Sequence, residues 1–105
     1  MRLFGIKTCD TCRKALKEID NIEFVDVRVD GLPDDVRDVA LTQFGDSLLN
    51  TRSTTWRGLD ESERARGPVE LLADHPTLMK RPLIEVDGQL YLGWTAATRT
   101  ALGLV

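Results

Sequence analysis

At 105 residues, with 42% hydrophobic and 30% charged side chains, the chain has the size and composition of one globular domain spanning residues 1–105. A formal charge of −3 and an isoelectric point near 5.1 set direct nucleic-acid binding aside, because neutralising a phosphate backbone needs a basic face. The apolar stretch in the opening "MRLFGIK" is too short for a secretion signal and no later run approaches a membrane span, so a cytoplasmic protein without a membrane partner is expected.

The first apolar run predicts a buried strand over Arg2 to Ile6. Thr8, Asp10 or Thr11 can then cap a helix in which Cys12, Ala15, Leu16 and Ile19 recur at helical spacing on one face, before Asp20-Asn21 stops it. "IEFVDVRV" returns to the two-residue period of a strand, with Phe24 on one side and Val25, Val27 and Val29 on the other. Pro33 opens a helix with Val36, Val39, Ala40 and Phe44 on one face and Gly45 at its end. Asp46 to Gly67 is arginine-rich and irregular, giving short helical turns at most, and "PVELLADHP" predicts a short helix between Pro68 and Pro76. "RPLIEVDGQLYLGW" alternates on both sides of Asp87-Gly88, the pattern of a type I′ hairpin, and Thr95 to Leu102 forms a last helix ended by Gly103. The order βαβ, helices, ββα predicts an α/β fold: a thioredoxin-like core with a helical insertion over about residues 33–76 between its halves.

In a βαβ unit with parallel strands, functional groups gather at the carboxyl end of the first strand, and Cys9 sits there. A helix N-terminus stabilises the reactive thiolate, with Lys7 and Arg13 adding positive charge and Asp10 opposing it. Cys12 lies in phase with the apolar helical face, so it points inward. Cys9-x-x-Cys12 therefore reads as a redox pair, or as a reactive Cys9 beside a packed Cys12. A closed zinc site wants four ligands, and His75 is the one soft or borderline ligand beyond these sulfurs, so no metal is expected. No Gly-rich phosphate loop or Cys-x5-Arg loop is present: the sixth residue after Cys9 is Ala15, and after Cys12 it is Glu18.

An anionic substrate at Cys9 calls for arginine, whose planar fork of donors matches oxyanions and carboxylates. The candidates are Arg13, Arg52, Arg57 and Arg81, with Arg81 favoured because Pro82 follows it and opens a strand expected beside the βαβ unit. Arg64 and Arg66, in "DESERARG", read as a solvated mixed-charge face, His75 as a helix-end residue, and Trp56 and Trp94 as packing residues.

Three segments in order, "GIKTCDTCRKAL", "LLNTRSTTWRGLD" and "HPTLMKRPLIEVDG", make the chain resemble the ArsC family of thioredoxin-fold arsenate reductases, in the branch that holds YffB-like and Spx-like members. The resemblance implies that Cys9 is the nucleophile, that Arg81 and either Arg52 or Arg57 hold an oxyanion, and that Arg81-Pro82 is a cis peptide facing the cysteines. It implies glutathione as co-substrate and glutaredoxin as a partner, with no bound cofactor. Two positions depart from the arsenate enzymes: Cys12 replaces a non-cysteine residue, as in Spx-like members, and Trp94 takes the place of an arginine after the hairpin. The expected function is a glutathione-linked, thiol-dependent reductase acting on arsenate or on a disulfide or glutathione-containing substrate. The alternative is an Spx-like regulator whose Cys9-Cys12 disulfide governs binding to RNA polymerase.

Overall fold

In the computed structural model, which describes residues 1–104, the elements in chain order are β1 (Arg2–Gly5), α1 (Asp10–Glu18), β2 (Glu23–Asp26), α2 (Val27–Asp30), α3 (Asp34–Phe44), α4 (Thr54–Arg57), α5 (Glu61–Arg64), α6 (Pro68–Asp74), β3 (Leu83–Val86), β4 (Gln89–Leu92) and α7 (Ala96–Ala101). Short 3-10 turns occupy Gly45–Leu48 and Pro76–Leu78. The chain forms two compact units, one of residues 1–27 together with the segment from Arg81 onward, the other of Arg28–Lys80.

The first unit carries one sheet in the order β2-β1-β3-β4, with β1 and β2 parallel and the two later strands antiparallel to their neighbours. This is the thioredoxin-like βαβ and ββα arrangement. Opposed residues share a face of a sheet, so the register places Phe24, Leu3, Ile84 and Tyr91 in one row. That row packs with Cys12, Ala15 and Ile19 of the α1 side, together with Leu102 and Leu104. Phe4, Val25, Leu83 and Leu92 form the row on the opposite face.

The hairpin forms as its sequence dictates. Asp87 and Gly88 both take positive φ, 48° and 80°, which the type I′ turn requires at both central positions. At the start of β1 Arg2 Nε donates to Glu85 Oε1 across the β1/β3 pair at 2.7 Å.

The strand predicted over "IEFVDVRV" is half as long as its alternation suggests. β2 is an edge strand and its last partner is Gly5, opposite Asp26; beyond that pair no strand accepts its hydrogen bonds. The chain turns into α2 instead, burying Val27 and leaving Val29 74% exposed.

The second unit is helical. Pro33 precedes α3, and Gly45 ends it at a φ of 57°. Val36 and Ala40, one turn apart, are buried, whereas Val39 lies on the flank at 50% exposure and is not part of the expected core face. Leu48, Leu71, Leu72, Leu78 and Met79 complete the buried set. An antiparallel bridge joins Leu49 to Met79, with Asn50 N–H donating to Leu78 O and Lys80 N–H to Leu48 O, each at 2.7 Å. Ser53 and Asp60 cap α4 and α5 through bonds from the amides of Trp56 and Glu63.

Candidate functional site

The turn after β1 is closed by the Cys9 amide donating to Ile6 O at 3.2 Å, and Cys9 O accepts from the Arg13 amide at 3.0 Å. Cys9 is therefore itself the N-cap of α1, in extended backbone geometry. No serine, threonine or aspartate side chain caps this helix, which corrects the expectation for Thr8, Asp10 or Thr11. The physical consequence is that the sulfur occupies the position normally held by a capping oxygen, next to the positive end of the helix.

Cys9 is partly exposed and Cys12 is 1% exposed; both are free thiols. Partial burial pushes the Cys9 thiol up, but the Cys12 amide, the Cys12 thiol and the Arg81 guanidinium together outweigh it, and its pKa lies below the ordinary thiol value. Burial pushes Cys12 the other way, up to about 12, and the neighbouring Cys9 adds to the rise. One sulfur is thus shifted toward the thiolate and the other held as a thiol, the asymmetry expected from the helical phase.

Cys12 fits because residue 5 is glycine. A Cβ built on Gly5 would overlap Cys12 Sγ and stand 3.3 Å from its Cβ. Gly5 lies two residues beyond Leu3 on the same face of β1, and α1 approaches the strand there. The sequence signal for this close approach is a glycine at the strand end just ahead of the cysteine motif.

Arg81 is half-buried with its guanidinium beside the Cys9 sulfur, joined to a fully buried Pro82 through a cis peptide bond. Pro82 O accepts from the Gly93 amide at 2.8 Å, fixing the start of the hairpin. Arg13 is committed elsewhere: its Nε donates to Lys7 O at 2.9 Å, and it pairs with Asp10 at 3.4 Å. Cys9, Cys12, Arg81 and Pro82 are therefore brought together in the first unit.

Arg52 and Arg57 belong to the second unit and are exposed, Arg52 in the turn after Asn50 and Arg57 at the end of α4. Arg64 and Arg66 are more than a solvated face. Arg64 lies over the Trp56 ring at 5.4 Å and donates to the carbonyls of Trp56 and Arg57. Arg66 reaches Glu63, Glu70 and Asp74, which holds Glu63 and Asp74 below the usual carboxylate range. His75 ends α6 as expected, 3.5 Å from Glu63.

Trp94 is tied to the far end of α1, its indole N–H donating to Glu18 at 3.0 Å while Arg99 pairs with the same carboxylate at 2.7 Å. Nothing in the spacing of Glu18, Trp94 and Arg99 announces this cluster, because it joins residues 76 and 81 positions apart. Among the described residues no group of three or more His, Cys, Asp or Glu side chains is placed to hold a metal ion, and no helix is long and apolar enough to cross a membrane.

The ArsC family profile matches residues 4–101. An uncharacterised protein of Haemophilus influenzae is 48% identical over 88% of this chain and 89% of its own length. Among solved structures, a protein described as YFFB superposes with a TM-score of 0.85 at 30% identity, covering 95% of this chain and 96% of that one. An arsenate reductase-related protein from Brucella melitensis gives 0.71 at 32% identity, covering 99% and 94%. An arsenate reductase from Vibrio cholerae gives 0.72 at 16% identity, covering 100% and 98%, a likeness of fold.

Proposed function

The chain belongs to the ArsC family, and from that premise we propose that it is a glutathione-linked thiol reductase in which Cys9 attacks the sulfur of a glutathione-containing disulfide. Family and neighbours support a thiol-dependent reductase as the kind of protein. The observation that carries the finer reading is the pairing at one helix N-terminus of a thiol lowered by the Cys12 amide, the Cys12 thiol and Arg81 with a buried thiol raised to about 12.

In the first step the Cys9 thiolate attacks the glutathione sulfur of RS–SG. A Cys9–SG disulfide forms, and the RS⁻ released takes a proton from solvent. In the second, the thiolate of another glutathione attacks that mixed disulfide at the glutathione sulfur, giving oxidised glutathione and restoring the Cys9 thiolate. The reaction balances as RSSG plus GSH giving RSH plus GSSG. Cys12, protonated and buried, serves as a donor toward Cys9 and leaves resolution to the external thiol. Arg81 supplies the positive charge that favours the thiolate and meets a substrate carboxylate. We assign Arg13 the lesser part of holding the Lys7 turn, and leave Arg52 and Arg57 as substrate-binding candidates of the middle segment.

Arsenate is the second reading, favoured by the arsenate reductase-related neighbour at 32% identity. It is placed second because Trp94, where that chemistry would add a cation, turns its indole to Glu18. The alternative, a regulator docking on RNA polymerase, shares the Cys9-x-x-Cys12 motif, and an oxidation-dependent pull-down with little turnover of small substrates would favour it.

The test is NADPH consumption coupled through glutathione reductase, comparing a glutathionylated peptide with arsenate plus glutaredoxin. Turnover on the peptide, abolished in Cys9→Ser and retained in Cys12→Ser, is expected. Equal turnover in wild type and Cys9→Ser would overturn the mechanism, and Cys9-dependent turnover on arsenate alone would replace the substrate.

A further inference from the structure

Three arginines of the second unit are occupied by its own structure. Arg37 pairs with Asp34 and Asp38, Arg64 caps the end of α4, and Arg66 gathers three carboxylates. Arg52 and Lys80 differ: neither side chain pairs with another group among the described residues, and both line one open cleft of about 650 Å³.

The cleft is built on the bridge between Leu48–Asn50 and Leu78–Lys80. Backbone bonds on both sides of the bridge hold the chain leading to Arg52 against the chain carrying Lys80. Asn50 Oδ1 accepts from the Arg52 amide at 3.1 Å, which fixes the turn that presents the guanidinium. Ser47 and Thr51 add hydroxyls to the wall. The one acidic lining residue is Asp46, which none of the described lysines or arginines engages in an ion pair.

Two cations and one carboxylate in a single polar cleft match a ligand that carries both signs. A bare dianion would meet Asp46 repulsion, and an amine would meet Arg52 and Lys80. The geometry points to a binding site for a small zwitterion of the amino-acid or short-peptide class, its carboxylate on Arg52 and Lys80 and its ammonium toward Asp46. All its lining residues belong to the helical unit, and Arg52 is the one residue it shares with the substrate-binding candidates of the reductase reading.

Amide ¹H–¹⁵N spectra of the full-length chain, titrated at constant ionic strength, test it with glutamate, with glutarate, which lacks the amine, and with potassium chloride. Saturable shifts confined to residues 46–52 and 80 are expected with glutamate, with binding weaker by about tenfold for glutarate and for either Arg52→Gln or Lys80→Gln. Asp46→Asn should remove the preference for glutamate over glutarate. Cys9→Ser should bind glutamate as the wild type does, so failure of the thiol chemistry leaves this result intact. Glutamate shifts matched by potassium chloride, shifts centred elsewhere, or glutarate binding as tightly as glutamate would each overturn the assignment.

Discussion

Cys9 and Cys12 show how two identical side chains one helical turn apart acquire opposite chemistry. Cys9 takes the N-cap, where amide dipoles and Arg81 favour the anion; Cys12 is inside, where burial favours the neutral thiol. A depressed pKa means more thiolate at pH 7 than in a free cysteine, so Cys9 is expected to react with iodoacetamide faster than glutathione does at that pH. Arg81→Gln removes positive charge, so the midpoint of the alkylation rate against pH should move upward; an unmoved midpoint would show that Arg81 does not act on the sulfur. Cys12 carries the opposite sign. Its folded pKa of about 12 lies above the ordinary thiol value of 9.0, so its contribution to stability is complete below pH 9 and is lost as pH rises toward 12. The loss is bounded at about 4 kcal/mol from about 1.4 kcal/mol per pKa unit. Urea unfolding at pH 7.5, 9 and 10.5 should show this decline, and Cys12→Ala should flatten the part of it above pH 9.

At the scale of elements, the contact between β1 and α1 decides whether the thiol site can exist. Gly5 permits Cys12 to sit against the strand, and any side chain there displaces the helix that carries Cys9. Gly5→Ala is expected to cost about 1–3 kcal/mol through overpacking. Gly5→Ala combined with Cys12→Ala should recover part of that cost, because the overlapping sulfur is gone; strict additivity in the double-mutant cycle would refute the contact. The same scale explains the shortened β2. Alternation of Phe24, Val25, Val27 and Val29 describes a surface that a sheet can use, but a strand persists only while a neighbour accepts its hydrogen bonds, and Gly5 is the last. In α3, similarly, the apolar residues outnumber the positions that face inward, and Val39 stays half exposed.

For the whole molecule, the connectivity sets the expectation of one domain. The first unit is assembled from both ends of the chain, and Arg28–Lys80 leaves it and returns to it. Neither end segment alone provides the sheet, since β1 needs β2 on one side and β3 on the other. We therefore propose that the chain unfolds in a single transition, with calorimetric and van't Hoff enthalpies equal. Two resolved transitions would instead make the helical segment an independent folding unit.

The fold was readable because its signals are local. Helical spacing from Cys12 to Ile19, alternation on both sides of Asp87-Gly88, and Pro68 at the first turn of α6 each act within a few residues. The inward phase of Cys12 belongs to the same class, and the three quoted segments were enough to suggest the family. What only the tertiary structure decided depends on groups far apart in the chain. Arg81 reaches Cys9 from the other end of the sequence, Trp94 is drawn to Glu18, Arg66 is consumed by three carboxylates, and Lys80 and Arg52 come to line one cleft beside the Leu49–Met79 bridge. Charge on a side chain is legible from the sequence; whether that charge is spent on the fold or left for a ligand depends on which distant group arrives beside it.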